Sequence, residues 1–367
     1  MDALYIGLMS GTSVDGADGV LAEVGPGGLR IVAHAHRPFE AALRGELLAL
    51  NAPGADELHR AALAANALAR VYAEVVAVLR REAPGRAVRA VAAHGQTVRH
   101  RPGQFDGSGY TLQINAPALL AELTGLAVVA DLRSRDLAAG GQAAPLVPAF
   151  HRAVFARAGE DLAVANLGGI ANLSLLAADG RVRGFDCGPA NALMDGWSQR
   201  HTGAPFDDRG AWAASGRVLP GLLASARQAP YFALPPPKST GRDDFHLGWL
   251  DALLATQPPA LPRDVQATLC ELTACTVASD LRRHLPAARE LLVCGGGALN
   301  DELMRRLALA LPGVAVRSTA ERGLPPLQVE AAAFAWLAHA HLQGLPGNLP
   351  EVTGAHGPRV LGAHYPA

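Results

Sequence analysis

Leu4-Tyr5-Ile6-Gly7-Leu8-Met9-Ser10-Gly11-Thr12-Ser13-Val14-Asp15-Gly16-Ala17-Asp18-Gly19-Val20 decides the fold. An apolar, β-prone run breaks on small polar residues and then resumes as a second strand. The pattern is that of a hairpin built to hold a phosphate. Gly11 and Gly16 suit the positive φ of a tight turn, Thr12 and Ser13 offer hydroxyl and amide donors, and Asp15 and Asp18 are placed to hold a hydrated cation. No Gly-Lys-Ser/Thr follows, which excludes a Walker loop. A strand rather than a helix comes next, which excludes a dinucleotide fingerprint. An ordinary Ser/Gly/Asp hairpin without a ligand has the same composition.

Outward from this hairpin, a third short run at Arg30 to Ala35 precedes an Ala/Leu helix near Ala55 to Arg81. A buried strand Val88 to Ala93 ends in His94-Gly95-Gln96-Thr97. Another strand at Tyr110 to Ile114, a helix at Pro117 to Thr124 and Ala127 to Asp131 close that half. The device then recurs: Asp161 to Leu176 is strand, Gly168-Gly169 turn, strand, followed by Val182 to Asp186 and helices at about Ala190 to Thr202 and Val265 to His284. Glu290 to Cys294 runs into Gly295-Gly296-Gly297 and a helix from about Asn300 to Leu311. The prolines at 235–237 and 258–259 are local loops. Two hairpin-first α/β halves predict an internally duplicated, two-lobed fold with a ligand cleft between the lobes.

With 367 residues, two domains can each bury a core. The hydrophobic fraction of 50% and charged fraction of 18% are ordinary for a compact enzyme and exclude disorder. A formal net charge of −1 leaves neither a basic stripe for nucleic acid nor a polybasic membrane anchor, so a small-molecule partner is expected. Cys187, Cys270, Cys275 and Cys294 match neither a zinc ribbon nor a CxxC pair and read as reduced thiols. Met1-Asp2 leads straight into a strand without signal-peptide features, and no long apolar run is evident, so the expected location is cytoplasmic.

Gly168-Gly169, flanked by Asn166 and Asn172, offers amides and carboxamides to phosphate oxygens. Gly295-Gly296-Gly297 to Asn300 either brings backbone against a nucleotide at a helix N-terminus or permits close strand-to-helix packing. Asp186, at a strand end before a helix, either caps that helix or faces the cleft. His94 and Gln96 line a polar sugar pocket or satisfy buried backbone groups, and their spacing from His100 argues against metal ligation. Arg133 and Asp136 lie in a stretch that suits a planar carboxylate or a surface ion-pair cluster. Glu330 complements a helix dipole or faces the cleft. Lys238-Ser239-Thr240 follows three prolines rather than a glycine loop and is not a P-loop. The metal ligands are not legible.

Taken together these segments resemble the anhydro-N-acetylmuramic acid kinase family, of the sugar kinase, Hsp70 and actin superfamily. The resemblance runs from Met9 to Gly16 through His94 to Thr97, Asp131 to Pro145, Asn166 to Asn172, Phe185 to Pro189, Lys238 to Arg242, Val293 to Ala298, Pro346 to Pro350 and Thr353 to Ala355. It implies an α/β, two-lobed actin-like ATPase (duplicated ribonuclease H-like) fold with the active site in the interdomain cleft. The N-terminal lobe would be 1–136 plus 330–367 and the C-terminal lobe 137–329. The implied reaction takes 1,6-anhydro-N-acetylmuramic acid, ATP and water to N-acetylmuramic acid 6-phosphate and ADP in peptidoglycan recycling, with Mg2+. Asp186 would be general base on the water. Gly11, Thr12, Ser13, Val14, Asp15, Gly16, Ala17 and Asp18 would hold the ATP phosphates, and Gly168, Gly169, Asn172, Gly295, Gly296, Gly297 and Asn300 would bound the nucleotide. His94, Gln96, Arg133, Asp136 and Glu330 would contact the sugar, and a homodimer is the family-based expectation. Asn115-Ala116 and Ala190 depart from the family pattern on the sugar side. A plain hexose or amino-sugar kinase and a non-catalytic nucleotide-dependent scaffold are the competing readings. The first would use Asp186 on a hydroxyl; the second needs no sugar pocket.

Overall fold

The computed structural model describes residues 2–11, 13–241 and 243–367. The chain divides into two compact units, Met1–Val154 with Gln328–Ala367, and Phe155–Leu327. The first unit contains strands β1 (Ala3–Met9), β2 (Gly16–Gly25), β3 (Gly28–Pro38), β4 (Val88–Ala93), β5 (Gln96–Pro102), β6 (Gly109–Ile114) and β7 (Val128–Ala130). The second contains β8 (Leu162–Leu167), β9 (Ile170–Leu176), β10 (Val182–Pro189), β11 (Glu290–Cys294) and β12 (Ala315–Ser318). A last strand, β13 (Ala363–Tyr365), returns to the first sheet.

The predicted duplication is visible in the strand orders. The first sheet runs β13-β7-β4-β1-β2-β3 and the second β10-β9-β8-β11-β12. In each, three consecutive strands form an antiparallel meander. Two further strands then add in parallel on the other side of the first. This is the duplicated ribonuclease H-like pattern. Strands β5 and β6 form a separate antiparallel ribbon.

Each unit has its own core. In the first, Ile6, Leu8 and Leu21 pack with Leu68, Tyr72, Val75 and Leu79 of the helix Glu57–Arg81. That helix is long and apolar enough to cross a membrane, a length of apolar sequence the reading above did not expect. Its spacing of buried residues shows why it is a core helix instead: positions 65, 68, 69, 72, 75, 76 and 79 recur at helical intervals on one face. A helix at Ala41–Ala49, not expected from sequence, precedes it. In the second unit Phe185, Leu193, Met194 and Trp197 pack with Val277, Leu281 and Leu291.

The first unit extends beyond the expected limit at residue 136. Residues 137–154 belong to it because Asp136 ties its loop to Asn348 and Thr353, and Phe150 packs against Trp336. The four cysteines are free thiols.

Candidate active site

The turn between β1 and β2 is closed by backbone and braced by side chains. Val14 N–H donates to the Gly11 carbonyl at 3.2 Å, and among the described residues of the turn Val14, not Gly11 or Gly16, has the positive φ, at 52°. The expected roles of the two glycines are therefore corrected. Gly16 is required by space instead: a Cβ there would lie 2.5 Å from the Arg37 carbonyl oxygen and 2.6 Å from the His36 ring. At Gly11 the nearest atom to such a Cβ is Ser13 Oγ at 3.7 Å, so the approach to that backbone is open. Val14 tolerates its conformation because its side chain is buried in the core and Arg44 Nε donates to its carbonyl at 3.0 Å. Ala17 is also fully buried, so both residues can meet a ligand only through backbone. Thr12 lies outside the described residues.

Ser13 Oγ donates to Asp15 Oδ1 at 2.9 Å, and Asp15 is exposed. Asp18, expected beside it as a cation holder, instead lies 3.1 Å from both His34 Nε2 and His36 Nδ1 on β3. Among the described residues no group of three His, Cys, Asp or Glu side chains could hold a metal ion.

Three residues predicted to contact sugar have other partners. Gln96 is buried, accepts from Ser10 Oγ and donates to the Gly11 carbonyl at 3.1 Å, bracing the hairpin turn. Asp136 is wholly buried. Its Oδ1 accepts from Asn348 Nδ2 at 2.6 Å and Thr353 Oγ1 at 2.7 Å, and its Oδ2 accepts from Ala143 N–H at 2.8 Å. Its carboxyl holds the 136–143 loop, which corrects the sugar-contact expectation. His94 is buried, with Nδ1 2.8 Å from its neighbour Gly95's carbonyl oxygen and Nε2 accepting from Arg133 Nε at 3.0 Å. Those partners fix a neutral imidazole, and burial with the adjacent Arg133 charge pushes its pKa down to about 3. His94 therefore orients Arg133 and neither ligates metal nor carries a proton at neutral pH.

Arg133 also donates to the Ala143 carbonyl at 2.6 Å. Burial lowers its pKa to about 10, against Glu330 and Asp136, so it stays a cation. Glu330 is in the first turn of the helix Val329–Leu342 and is near enough to favour that charge. Asn115 is used locally, donating to Ala93 carbonyl at 3.4 Å and accepting from Ala116 N–H at 2.9 Å.

The second unit's turn is built by backbone. The Gly169 carbonyl accepts from Ala190 and Ala192 N–H at 3.0 and 3.1 Å, and the Gly168 carbonyl accepts from Asn191 N–H at 3.0 Å. Asn191 Nδ2 adds a bond to the Leu167 carbonyl at 2.8 Å. At Gly295, φ is +77° and a Cβ would sit 2.6 Å from Asn166 Oδ1; at Gly297 it would sit 2.5 Å from Leu167 Cβ. The two glycine segments are thus brought together, and Gly296 lies against Asn191. A 3-10 turn, Gly296–Leu299, intervenes before the helix Asp301–Ala310. Asn300 caps that helix by accepting from Leu303 N–H at 2.9 Å, which leaves its backbone as the part that could meet a nucleotide.

Strand register sets out the remaining polar residues. Asn166 on β8 pairs with Asn172 on β9, and Asn172 pairs with Asp186 on β10. Asp186 is not at a strand end: β10 continues to Pro189, and a bulge follows Asp186, the next pair being Gly188 with Ala171. Bulges re-aim side chains. The helix Asn191–Thr202 has Ala190 at its N-cap and no side-chain cap, so Asp186 does not cap it.

Instead Asp186 Oδ2 accepts from Thr240 N–H at 3.0 Å. Its own N–H donates to the Lys238 carbonyl at 3.2 Å, and its carbonyl accepts from Tyr231 Oη–H at 2.7 Å. Burial pushes its carboxyl up to about 6, opposed by the Thr240 amide and the Lys238 charge. Tyr231, Lys238 and Thr240 were absent from the residues expected in the site. Lys238 and Thr240 stand in the Pro-Lys-Ser-Thr run, which is not a P-loop, and Tyr231 lies outside it.

A carboxyl with a pKa near neutrality, fixed by a backbone donor, is suited to general base work. The model of the family described as anhydro-N-acetylmuramic acid kinase matches residues 3–367. An anhydro-N-acetylmuramic acid kinase of Variovorax paradoxus (strain S110) is 64% identical, with 99% of each chain covered. One of Cupriavidus metallidurans is 59% identical over 99% of this chain and 97% of its own. Among solved structures, the activator of the 2-hydroxyisocaproyl-CoA dehydratase from Clostridium difficile with bound ADPNP is 12% identical at a TM-score of 0.47, covering 94% of this chain and 96% of that one.

Proposed function

The chain belongs to the anhydro-N-acetylmuramic acid kinase family, and on that premise we propose how its residues divide the work. It is an ATP-dependent phosphotransferase of cell-wall recycling, acting on 1,6-anhydro-N-acetylmuramic acid. Asp186, held by the Thr240 amide in a buried setting, is the observation that carries the mechanism.

Its carboxylate accepts a proton from water as the water oxygen bonds to C1 of the sugar. The C1–O6 bond breaks, and O6 bonds to the γ-phosphorus of ATP as the bond to the β-phosphate oxygen breaks. ADP leaves, and the proton on Asp186 passes to solvent. The products are N-acetylmuramic acid 6-phosphate and ADP. Strain in the bicyclic sugar favours O6 as leaving group.

Backbone of the 11–18 turn and of Gly168, Gly169 and Gly295 to Gly297 supplies the phosphate contacts. Arg133, oriented by His94, is the cation for the substrate's carboxylate, with Glu330 beside it. Asp15 is the carboxylate suited to a hydrated Mg2+ arriving with the nucleotide, an ion that neutralises phosphate charge. The enzyme works in the cytoplasm, where ATP is supplied.

Turnover in heavy-oxygen water tests this reading. One labelled oxygen is expected on C1 of the product and none on O6. Product without label would mean direct phosphorylation of a hydroxyl, and the base role on water would be lost.

A further inference from the structure

We propose that the buried Lys238–Asp280 ion pair is a positioning device for Asp186, clamping the 238–240 loop to the helix Pro262–His284. The inference rests on the reading of Asp186 as the base. Lys238 Nζ lies 3.0 Å from Asp280 Oδ2, and the two side chains are only 2% and 7% accessible. The ammonium also sits over the rings of Tyr231 and Phe185, at 5.1 and 5.7 Å from their centroids.

Beyond the β9–β10 ladder, three polar contacts of Asp186 come from this assembly. Lys238 supplies the carbonyl that accepts the Asp186 N–H, Thr240 two residues on supplies the amide on Oδ2, and Tyr231 supplies the hydroxyl on the Asp186 carbonyl. Thr240 Oγ1 is fixed in turn by Asp244 Oδ2 at 2.6 Å. The link therefore runs from the helix through Asp280 and Lys238 to a loop whose backbone grips the reacting carboxyl.

A buried ion pair is a weak device for stability, since an apolar pair of similar volume usually serves as well. Its use here is to set one loop geometry and to place a cation beside Asp186. The charged group that acts on that carboxyl is Lys238, itself paired with Asp280; Tyr231 and Cys187 also interact with Asp186, Asp244 and Asp280 with Tyr231, and His284 lies against Phe185. Lys238 is the one whose charge pulls the Asp186 pKa down.

The test measures single-turnover rate against pH for Lys238→Met combined with Asp280→Leu, a pairing that leaves no unpaired buried charge. The melting temperature should stay near that of the native enzyme. The rate should fall about 10-fold or more, with KM for ATP and sugar within about 3-fold, and the acidic limb should move up by about one pH unit. Asp280→Asn alone leaves the Lys238 charge unshared and should move the same limb down.

Opposite shifts are what a purely structural pair would not give. An unchanged rate and limb in the folded double variant overturns the proposal. If Asp186→Asn is inactive in that same assay, only the positioning inference falls. If Asp186→Asn turns over normally, the base reading falls with it.

Discussion

The two sheets share one order over five strands, yet the first turns of their meanders lean on different braces. In the first unit side chains add to the Val14–Gly11 backbone bond: Gln96 grips Ser10 and Gly11, Arg44 grips Val14, and Asp18 is engaged by two histidines. In the second the Gly168-Gly169 turn is tied by backbone amides of residues 190–192. The central parallel strands both run into a glycine of positive φ, Gly95 at 79° and Gly295 at 77°. The difference has a chemical consequence. Where side chains are consumed in bracing, as with Gln96 and Asp136, they are not free to react. Where backbone braces, a carboxyl on the third strand is left for chemistry. In the proposed mechanism the first turn meets phosphate through its backbone, and Asp186 of the second unit serves as the base.

The contrast is broken most directly at its two aspartates. Asp186→Asn keeps the shape but removes the proton acceptor, so turnover should fall by ~10²-fold or more while ATP binding, followed by calorimetry, persists. The native rate should also rise with pH through about 6 and then level, because the base must be ionised and burial holds its pKa there. Near-native turnover in Asp186→Asn, or a rate that falls across that range, would remove Asp186 from the mechanism.

Asp136→Ala should do the reverse. It strands the Asn348, Thr353 and Ala143 donors in a dry site, costing ~3 kcal/mol of stability, while the folded fraction keeps kcat within a few-fold. Denaturant unfolding beside an active-site-titrated assay reads both. A large kcat loss with unchanged stability would return Asp136 to the sugar site.

How much of this was legible follows the same divide. The repeated hairpins, the strand at 88–93 and the helix after Pro262 were readable because apolar period and glycine placement fix them locally. The extra helix at 41–49 was not, since Ala41 to Ala49 lacks a side-chain cap and buries only Leu47. Asp186 was legible as a candidate, but its support at Thr240 lies 54 residues away, a contact made by folding rather than spacing. Asp136 failed for the same reason: its partners at 348 and 353 are 212 and 217 residues distant.

The glycines sharpen the comparison at a smaller scale. Gly295→Ala forces a Cβ to 2.6 Å from Asn166 Oδ1 at φ +77°, so both stability and ATP affinity should drop, by about 1–3 kcal/mol in stability. Gly11→Ala meets nothing closer than 3.7 Å and should leave stability within ~0.5 kcal/mol. Any loss at Gly11 would then appear as weaker nucleotide binding alone, because a methyl group there intrudes on the ligand's side. Equal destabilisation of both variants in thermal unfolding would mean that the two turns are braced alike.

Val14→Gly asks whether the first turn needs its odd residue. Glycine relieves a left-handed backbone that costs a β-branched residue ~1–2 kcal/mol. It also removes a buried valine side chain, worth roughly 1.5–3 kcal/mol, and adds about 0.5–1 kcal/mol of unfolded-chain entropy. The losses exceed the gain, so the variant should be less stable by about 1 kcal/mol, a shift of ~2–4 °C in the melting temperature of this unit. A variant that melts higher than the native chain would show that the Val14 anchor strains the turn more than it fastens it, and the side-chain-braced account of the first unit would fail at its centre.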